Sequence, residues 1–325
     1  LTSSRHSKVD YLRVSVTDRC NFQCKYCVPP WGRHFLPQSE ILTYEEIAEI
    51  VRCFKEIGLN SVRLTGGEPL IRKKLENLVL TLNEMGLEDI SLTTNGFFLE
   101  EKAQVLFDSG LRRVNISIDS LKEEKFSYLT GVDALKKVIR GLEKALEVGF
   151  SPVKVNVVFI KGFNDDEIED FIKFSEAFGV EVRFIELMPV GGKFFSSRHF
   201  LSVDKIKELV ESKYGKLIPA KTFKKGPSKS YKVPGTNAII GFIPSVSRHF
   251  CATCNRLRLT SDGKLRFCLM RDEEIDLKSL LRSGDYSREK LLEILKNAVK
   301  IKKNFTGISA LKGSGCERAM FTIGG

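Results

Sequence analysis

Apolar and polar positions alternate first at Tyr11-Leu-Arg-Val-Ser-Val-Thr, which predicts a strand with Arg13 and Ser15 on one face. The same β-branched, period-two pattern returns at Ser61-Val-Arg-Leu-Thr, Asp89-Ile-Ser-Leu-Thr-Thr and Arg113-Val-Asn-Ile-Ser-Ile. It returns again at Val153-Lys-Val-Asn-Val-Val-Phe-Ile and Val182-Arg-Phe-Ile-Glu-Leu. Between these runs the spacing turns helical. Thr43-Tyr-Glu-Glu opens the first helix with a capping-box pattern, and it runs to Gly58. Gly86, Gly110, Gly149 and Gly179 close later helical stretches. Six β–α units in a row predict an α/β fold, a parallel sheet with helices over its outside. Two further units would complete an eight-unit barrel.

The rhythm stops after Met188-Pro-Val-Gly-Gly. A helix from Val203 to Tyr214 follows, then short strand-like pieces and a terminal helix from Ser287 to about Lys303. Arg256-Leu-Arg-Leu-Thr-Ser-Asp-Gly-Lys-Leu-Arg-Phe reads as a hairpin turning at Asp262-Gly263. The expected division is therefore residues 1–200 as the barrel and 201–325 as an α+β extension. The best apolar run, Asn237-Ala-Ile-Ile-Gly-Phe-Ile, is strand-sized, so no membrane span is expected. Leu1-Thr-Ser-Ser-Arg-His-Ser-Lys carries no secretory core, which points to the cytoplasm. Lys and Arg outnumber Asp and Glu by 52 to 41, a formal charge of +11. That surplus suits a polyanion, either nucleic acid or a nucleotide triphosphate, and does not choose between them.

Six of the eight cysteines fall into two tight groups, and clustered cysteines without an oxidising compartment favour metal over disulfides. Cys20-x-x-x-Cys24-x-x-Cys27 follows the first strand, and Tyr26 precedes its last cysteine. Three thiolates hold three irons of a cubane cluster and leave the fourth open to an external ligand. Structural zinc, with His34 or His6 as fourth ligand, is the competing reading. Thr65-Gly66-Gly67-Glu68-Pro69 weighs against zinc, because it ends the second strand, where a barrel builds its site. Its two glycines admit close approach of a ligand. This pair of motifs resembles the radical S-adenosylmethionine (SAM) superfamily. There the open iron chelates SAM, and an electron from the cluster cleaves it to a 5′-deoxyadenosyl radical.

Cys251-x-x-Cys254, with Cys268 beyond, fits zinc or an iron–sulfur cluster equally well by spacing. Cys254-Asn-Arg-Leu-Arg-Leu-Thr puts Arg256 and Arg258 on one strand face, an arrangement suited to an anion. With Arg63-Leu-Thr-Gly-Gly-Glu-Pro-Leu-Ile-Arg, Arg183-Phe-Ile-Glu-Leu-Met-Pro-Val-Gly and the final Gly324-Gly325, the chain closely resembles the GTP 3′,8-cyclase family, nearly end to end.

The resemblance implies a partial (β/α)6 TIM-like barrel whose C-terminal α+β extension carries a second iron–sulfur site. It implies two 4Fe–4S clusters, one at Cys20, Cys24 and Cys27 and one at Cys251, Cys254 and Cys268. Gly67, Ser117, Met188 and the backbone of Tyr26 would contact SAM; Arg13, Arg63, Thr94, Lys154, Arg256 and Arg258 would contact GTP. The Gly324-Gly325 tail would reach into the barrel and be needed for activity. The implied lyase reaction moves hydrogen from the ribose 3′ position to the deoxyadenosyl radical. It then joins that carbon to guanine C8, giving 3′,8-cyclo-7,8-dihydroguanosine triphosphate for molybdenum-cofactor biosynthesis. An external one-electron donor and cyclic pyranopterin monophosphate synthase, as product acceptor, are the implied partners; nucleic acid and membrane are not. A homodimer and a monomer both stay open. Ser61 stands where the family commonly has a lysine, and 302–320 departs from its usual basic, histidine-containing approach to the tail. Cys53 is expected in the core, Cys316 packed or free, His199 and His249 bland, and Glu68 structural. Trp31 is expected to shape the first cysteine loop. The competing functions are another radical SAM enzyme with an auxiliary cluster, such as a peptide-modifying one, and a zinc-stabilised basic nucleic-acid-binding protein.

Overall fold

The computed structural model describes residues 8–29, 32–190, 198–220, 226–248, 251–303, 316 and 318–324. His6, Pro30, Trp31, His249 and Gly325, along with most of 304–317, lie outside them. Six parallel strands alternate with helices: β1 (Tyr11–Ser15), α1 (Tyr44–Glu56), β2 (Ser61–Thr65), α2 (Leu75–Glu84), β3 (Asp89–Thr94), α3 (Leu99–Asp108) and β4 (Arg113–Ser117). Two helices, α4 (Glu123–Thr130) and α5 (Leu135–Val148), lead to β5 (Val153–Phe159), and α6 (Ile168–Phe178) leads to β6 (Glu181–Glu186). At α1 the expected capping box forms: the Glu46 N–H donates to Thr43 Oγ1 at 3.2 Å and the Thr43 N–H to Glu46 Oε2 at 2.7 Å. Gly86, Gly110, Gly149 and Gly179 all take positive φ where helices end.

Beyond α7 (Val203–Tyr214) come β7 (Ile218–Pro219), β8 (Lys229–Lys232), β9 (Ile239–Ile243), β10 (Arg256–Leu259), β11 (Lys264–Arg266) and β12 (Glu274–Asp276). The helices α8 (Leu277–Leu281), α9 (Arg288–Lys303) and α10 (Met320–Ile323) complete the chain. All strands join one sheet, ordered β12-β11-β10-β1-β2-β3-β4-β5-β6-β9-β8-β7. β10 pairs parallel with β1, and β9 pairs parallel with β6. The C-terminal region thus flanks the six-strand core on both sides with one parallel strand each, then adds antiparallel strands outside them. The result is a TIM-like partial barrel that is not closed among the described strands.

Burial follows the strand alternation. Leu12, Val14, Val62, Leu64, Leu92, Val114, Ile116, Val155, Val182 and Phe184 face the helices and are fully buried. Their neighbours on each strand face the opposite way and are mostly polar, so the concave side is hydrophilic. α1 packs Ile47, Ile50, Val51 and Phe54 inward, with Cys53 fully buried among them. Among the described residues no helix is long and apolar enough to cross a membrane.

Candidate active site

The first cysteine loop leaves β1 and is fixed from several sides. Phe22 is buried edge-on against Phe97 and Phe126, and the N–H groups of Gln23 and Lys25 donate to carbonyls of Thr130 and Leu129. Arg33 donates to the Cys20 and Phe22 carbonyls at 2.7 and 3.0 Å. A turn brings the Cys27 N–H to the Cys24 carbonyl at 2.8 Å. Gly66 and Gly67 lie against this loop. A Cβ on Gly66 would stand 2.6 Å from the Thr17 carbonyl oxygen, and one on Gly67 would stand 2.4 Å from that of Arg19. The close approach these glycines permit is thus to the chain's own loop, sealed by Gly67 N–H to Thr17 and Glu68 N–H to Arg19, both 2.8 Å.

Glu68 is fully buried, accepting from Leu70 N–H and Thr94 Oγ1 on one oxygen and Asn95 N–H on the other. Burial raises its carboxyl to about 7. Thr94 shares the strand face of Leu92, is buried, and spends its hydroxyl on Glu68 and the Gly96 N–H. Tyr26 donates its hydroxyl to Asp119 at 2.7 Å, and Asp119 also accepts from Val158 N–H at 2.7 Å. Burial raises Asp119 to about 6. It also raises Cys20 to about 11, with Glu68 adding, and Cys27 to about 12, with Cys20 adding. Beside Cys20, the buried Asp18 Oδ1 and Asn21 Nδ2 have no hydrogen-bond partner among the described residues, a cradle suited to a polar ligand.

The second trio is spread over a ribbon. Cys251 and Cys254 lie on one turn before β10, with the Cys254 N–H on the Cys251 carbonyl at 3.1 Å, and Cys268 follows β11. Asn255 ties the turn to Asp10 at 2.6 Å. Burial opposes the Cys254 thiolate, but Arg256 and then Lys302 outweigh it and bring the thiol down to about 7. Among the described residues no three His, Cys, Asp or Glu side chains converge tightly enough for a single metal ion. Three thiols on a loop are the donor set of a cubane, which needs a wider trio than one ion does.

Between the trios runs a rung of cations. Arg258, Arg13, Arg63 and Ser91 are directly in register on adjacent parallel strands, and Arg113 follows Ser91. Neighbouring strands lie about 4.8 Å apart, so three guanidiniums stand side by side on the concave face. Burial, then Arg258, pushes Arg13 well below its usual range, and burial, then Arg256, lowers Arg258 to about 10. Arg183 is likewise lowered to about 10 by burial and then Arg63. Local acids serve other cations: Asp89 pairs with Arg113 at 2.5 Å and Glu181 with Lys154 at 2.6 Å. Arg183 Nε and Asn156 Oδ1 are buried without hydrogen-bond partners among the described residues. Ser117 lies at the end of β4 opposite Asn156, and Met188 follows β6, packed beside Val190. A buried face this rich in guanidinium is complementary to a polyanion.

The C-terminal tail closes one side. Met320 and Ile323 pack with Val190, Leu269 and Met270, against which Cys27, Met188 and Cys268 also lie. The Gly324 carbonyl accepts from Arg258 Nη1 at 2.8 Å. A hollow of about 550 Å³ near Arg52, Lys55 and Met85 lies on α1 and α2, outside the sheet.

Arg183, Asp119 and Asn156 are the residues that sequence reasoning left out of the site. Alternation along β5 and β6 was the available signal, since it gives Arg183 and Asn156 the concave face.

The Radical SAM superfamily model matches residues 14–175, and the Molybdenum Cofactor Synthesis C model matches 180–307. The "GTP 3′,8-cyclase" of Thermodesulfovibrio yellowstonii is 46% identical over 98% of both chains. That of Peptoclostridium acidaminophilum is 44% identical over 98% of this chain and 96% of its own. The chain belongs to the GTP 3′,8-cyclase family. Among solved structures, Streptococcus suis SuiB bound to precursor peptide SuiA matches with TM-score 0.61 at 16% identity, covering 97% of this chain and 71% of that one. At that identity the likeness speaks for the fold alone.

Proposed function

We infer that the protein is a radical SAM lyase converting GTP to 3′,8-cyclo-7,8-dihydroguanosine 5′-triphosphate in cytoplasmic molybdenum-cofactor biosynthesis. The observation that carries this reading is the rung of Arg258, Arg13 and Arg63 between two cysteine trios. Cys20, Cys24 and Cys27 would hold one 4Fe–4S cluster and Cys251, Cys254 and Cys268 the other, with SAM beside the first. When bound, the first cluster and SAM supply the organic radical that abstracts hydrogen. The chain supplies position and charge.

Gly67, Ser117, Met188 and the Tyr26 backbone would hold SAM, and the Tyr26–Asp119 bond keeps that part of the loop in place. Arg13, Arg63, Thr94, Lys154, Arg256 and Arg258 would contact GTP. Arg183 joins them, supported by its burial and its open Nε. Guanidinium forks fix an anion's geometry as well as its charge. The Gly324-Gly325 tail, whose last residue lies outside the described residues, would be needed for activity. An external one-electron donor and cyclic pyranopterin monophosphate synthase, which accepts the product, are part of the reading. Light scattering decides between monomer and homodimer.

The test uses anaerobically reconstituted protein with dithionite, SAM and GTP deuterated at the ribose 3′ position. Deuterium in 5′-deoxyadenosine, formed only when GTP is present, is the expected result. Unlabelled deoxyadenosine formed regardless of GTP would overturn the substrate assignment.

A further inference from the structure

We propose that Arg318 is the positioning residue that locks the C-terminal tail into the barrel, by tying it to the same hairpin that carries Arg258. The proposal rests on the reading above that the tail is needed for activity. Arg318 Nη1 donates to both carboxylate oxygens of Asp262 at 3.1 Å, and Nη2 donates to Glu274 at 2.8 Å. Asp262 sits in the β10–β11 turn and Glu274 on β12. Glu274 is itself held by the fully buried Arg266 at 2.9 Å, which also pairs with Asp272 at 2.9 Å. At Glu274, Arg318 therefore meets a carboxylate that is already oriented, at the receiving end of a planar fork.

Six residues further on, the hairpin grips the tail again through Arg258 and the Gly324 carbonyl. Between the two grips, the Phe321 backbone hydrogen-bonds Cys27 and its ring meets Phe35 edge-on, while Met320 and Ile323 pack with Val190, Leu269 and Met270. The position is tight. A Cβ on Gly324 would stand 2.7 Å from Thr65 Cγ2 and 3.2 Å from Ser15 Cβ, at φ +69°. The hairpin keeps its strand pairing with or without Arg318, because β10, β11 and β12 hold one another by backbone bonds. Losing Arg318 should therefore free the tail and leave the ribbon intact.

The experiment compares Arg318→Ala, Arg318→Lys and Asp262→Ala in the reconstituted holoenzyme, by hydrogen exchange and steady-state kinetics. In Arg318→Ala the amides of 320–324 should exchange at least about tenfold faster while β10 and β11 stay protected. kcat should fall about 10²-fold, and KM for GTP should stay within about threefold. Asp262→Ala should give the same pattern more weakly, and Arg318→Lys should recover part of the protection. Unchanged exchange at 320–324 would overturn the proposal, as would loss of protection spreading through β10 and β11, or a rise in KM at constant kcat. If Arg318→Ala does not fold, Asp262→Ala removes one arm of the same fork from the other side, leaving the Glu274 arm, and unchanged tail exchange there overturns it equally. A wild-type enzyme that yields no cyclised product would defeat the functional reading, while the exchange data still decide the lock.

Discussion

At both cysteine trios a turn brings residues i and i+3 together, Cys24 with Cys27 and Cys251 with Cys254. Around the first turn, burial and the carboxylates of Glu68 and Asp119 push thiols up, Cys20 to about 11 and Cys27 to about 12. Around the second, Arg256 and Lys302 bring Cys254 down to about 7 against its burial. The first site keeps its thiols protonated until metal displaces the protons. The second shares its field with the guanidinium rung. One backbone device thus stands in two different fields, carboxylates around the first turn and guanidiniums around the second.

Exchanging one thiol at each end separates them most sharply. Cys27→Ser should abolish 5′-deoxyadenosine formation, a loss of about 10³-fold or more. Cys254→Ser should retain deoxyadenosine formation and lose the cyclised product; iron analysis and mass spectrometry check both. Next in size is the rung. Arg13→Ala should weaken GTP binding by about 10²-fold, the scale of one or two hydrogen bonds to a charged group, in calorimetry. The same variant should stabilise the ligand-free protein by about 0.5 kcal/mol in urea melts, because it relieves repulsion between adjacent guanidiniums. A smaller effect confined to the first end comes from Gly66→Ala, whose Cβ would collide with the Thr17 carbonyl. It should cost about 1–3 kcal/mol by urea melting and lower iron at the first site while sparing the second.

The smallest effect is a pH slope. Glu68 and Asp119 have folded values of about 7 and about 6, both above their free values of 4.5 and 3.8. Their contribution to stability is full below about pH 4 and is lost as pH rises through 6 and 7. The urea midpoint of the ligand-free protein should fall between pH 5 and 8, and Glu68→Gln should flatten that fall.

Much of this was legible in the chain. The six core strands and α7 sit where periodicity put them, and the Asp262-Gly263 turn joins β10 to β11. The flanking role of β9 and β10 was not legible. They pair with strands remote in sequence, and such pairing leaves no local pattern. The rung was half legible: alternation put Arg13 and Arg63 on faces shared with Ser15 and Thr65, but only register shows that they and Arg258 stand side by side. Thr94 was legible from its motif, but the bond from its hydroxyl to Glu68 was not. The Arg318 fork depends on a tail returning to a distant turn, which no sequence period encodes.

A guanidinium rung that reads a triphosphate must tell GTP from guanosine. The most direct measurement is equilibrium binding of GTP and of guanosine to the reconstituted holoenzyme, repeated with Arg13→Ala and Arg258→Ala. The wild type should prefer GTP by about 10³-fold, roughly 4 kcal/mol, and each variant should narrow the gap. Equal affinity for GTP and guanosine, unchanged in both variants, would rule out a triphosphate role for the rung.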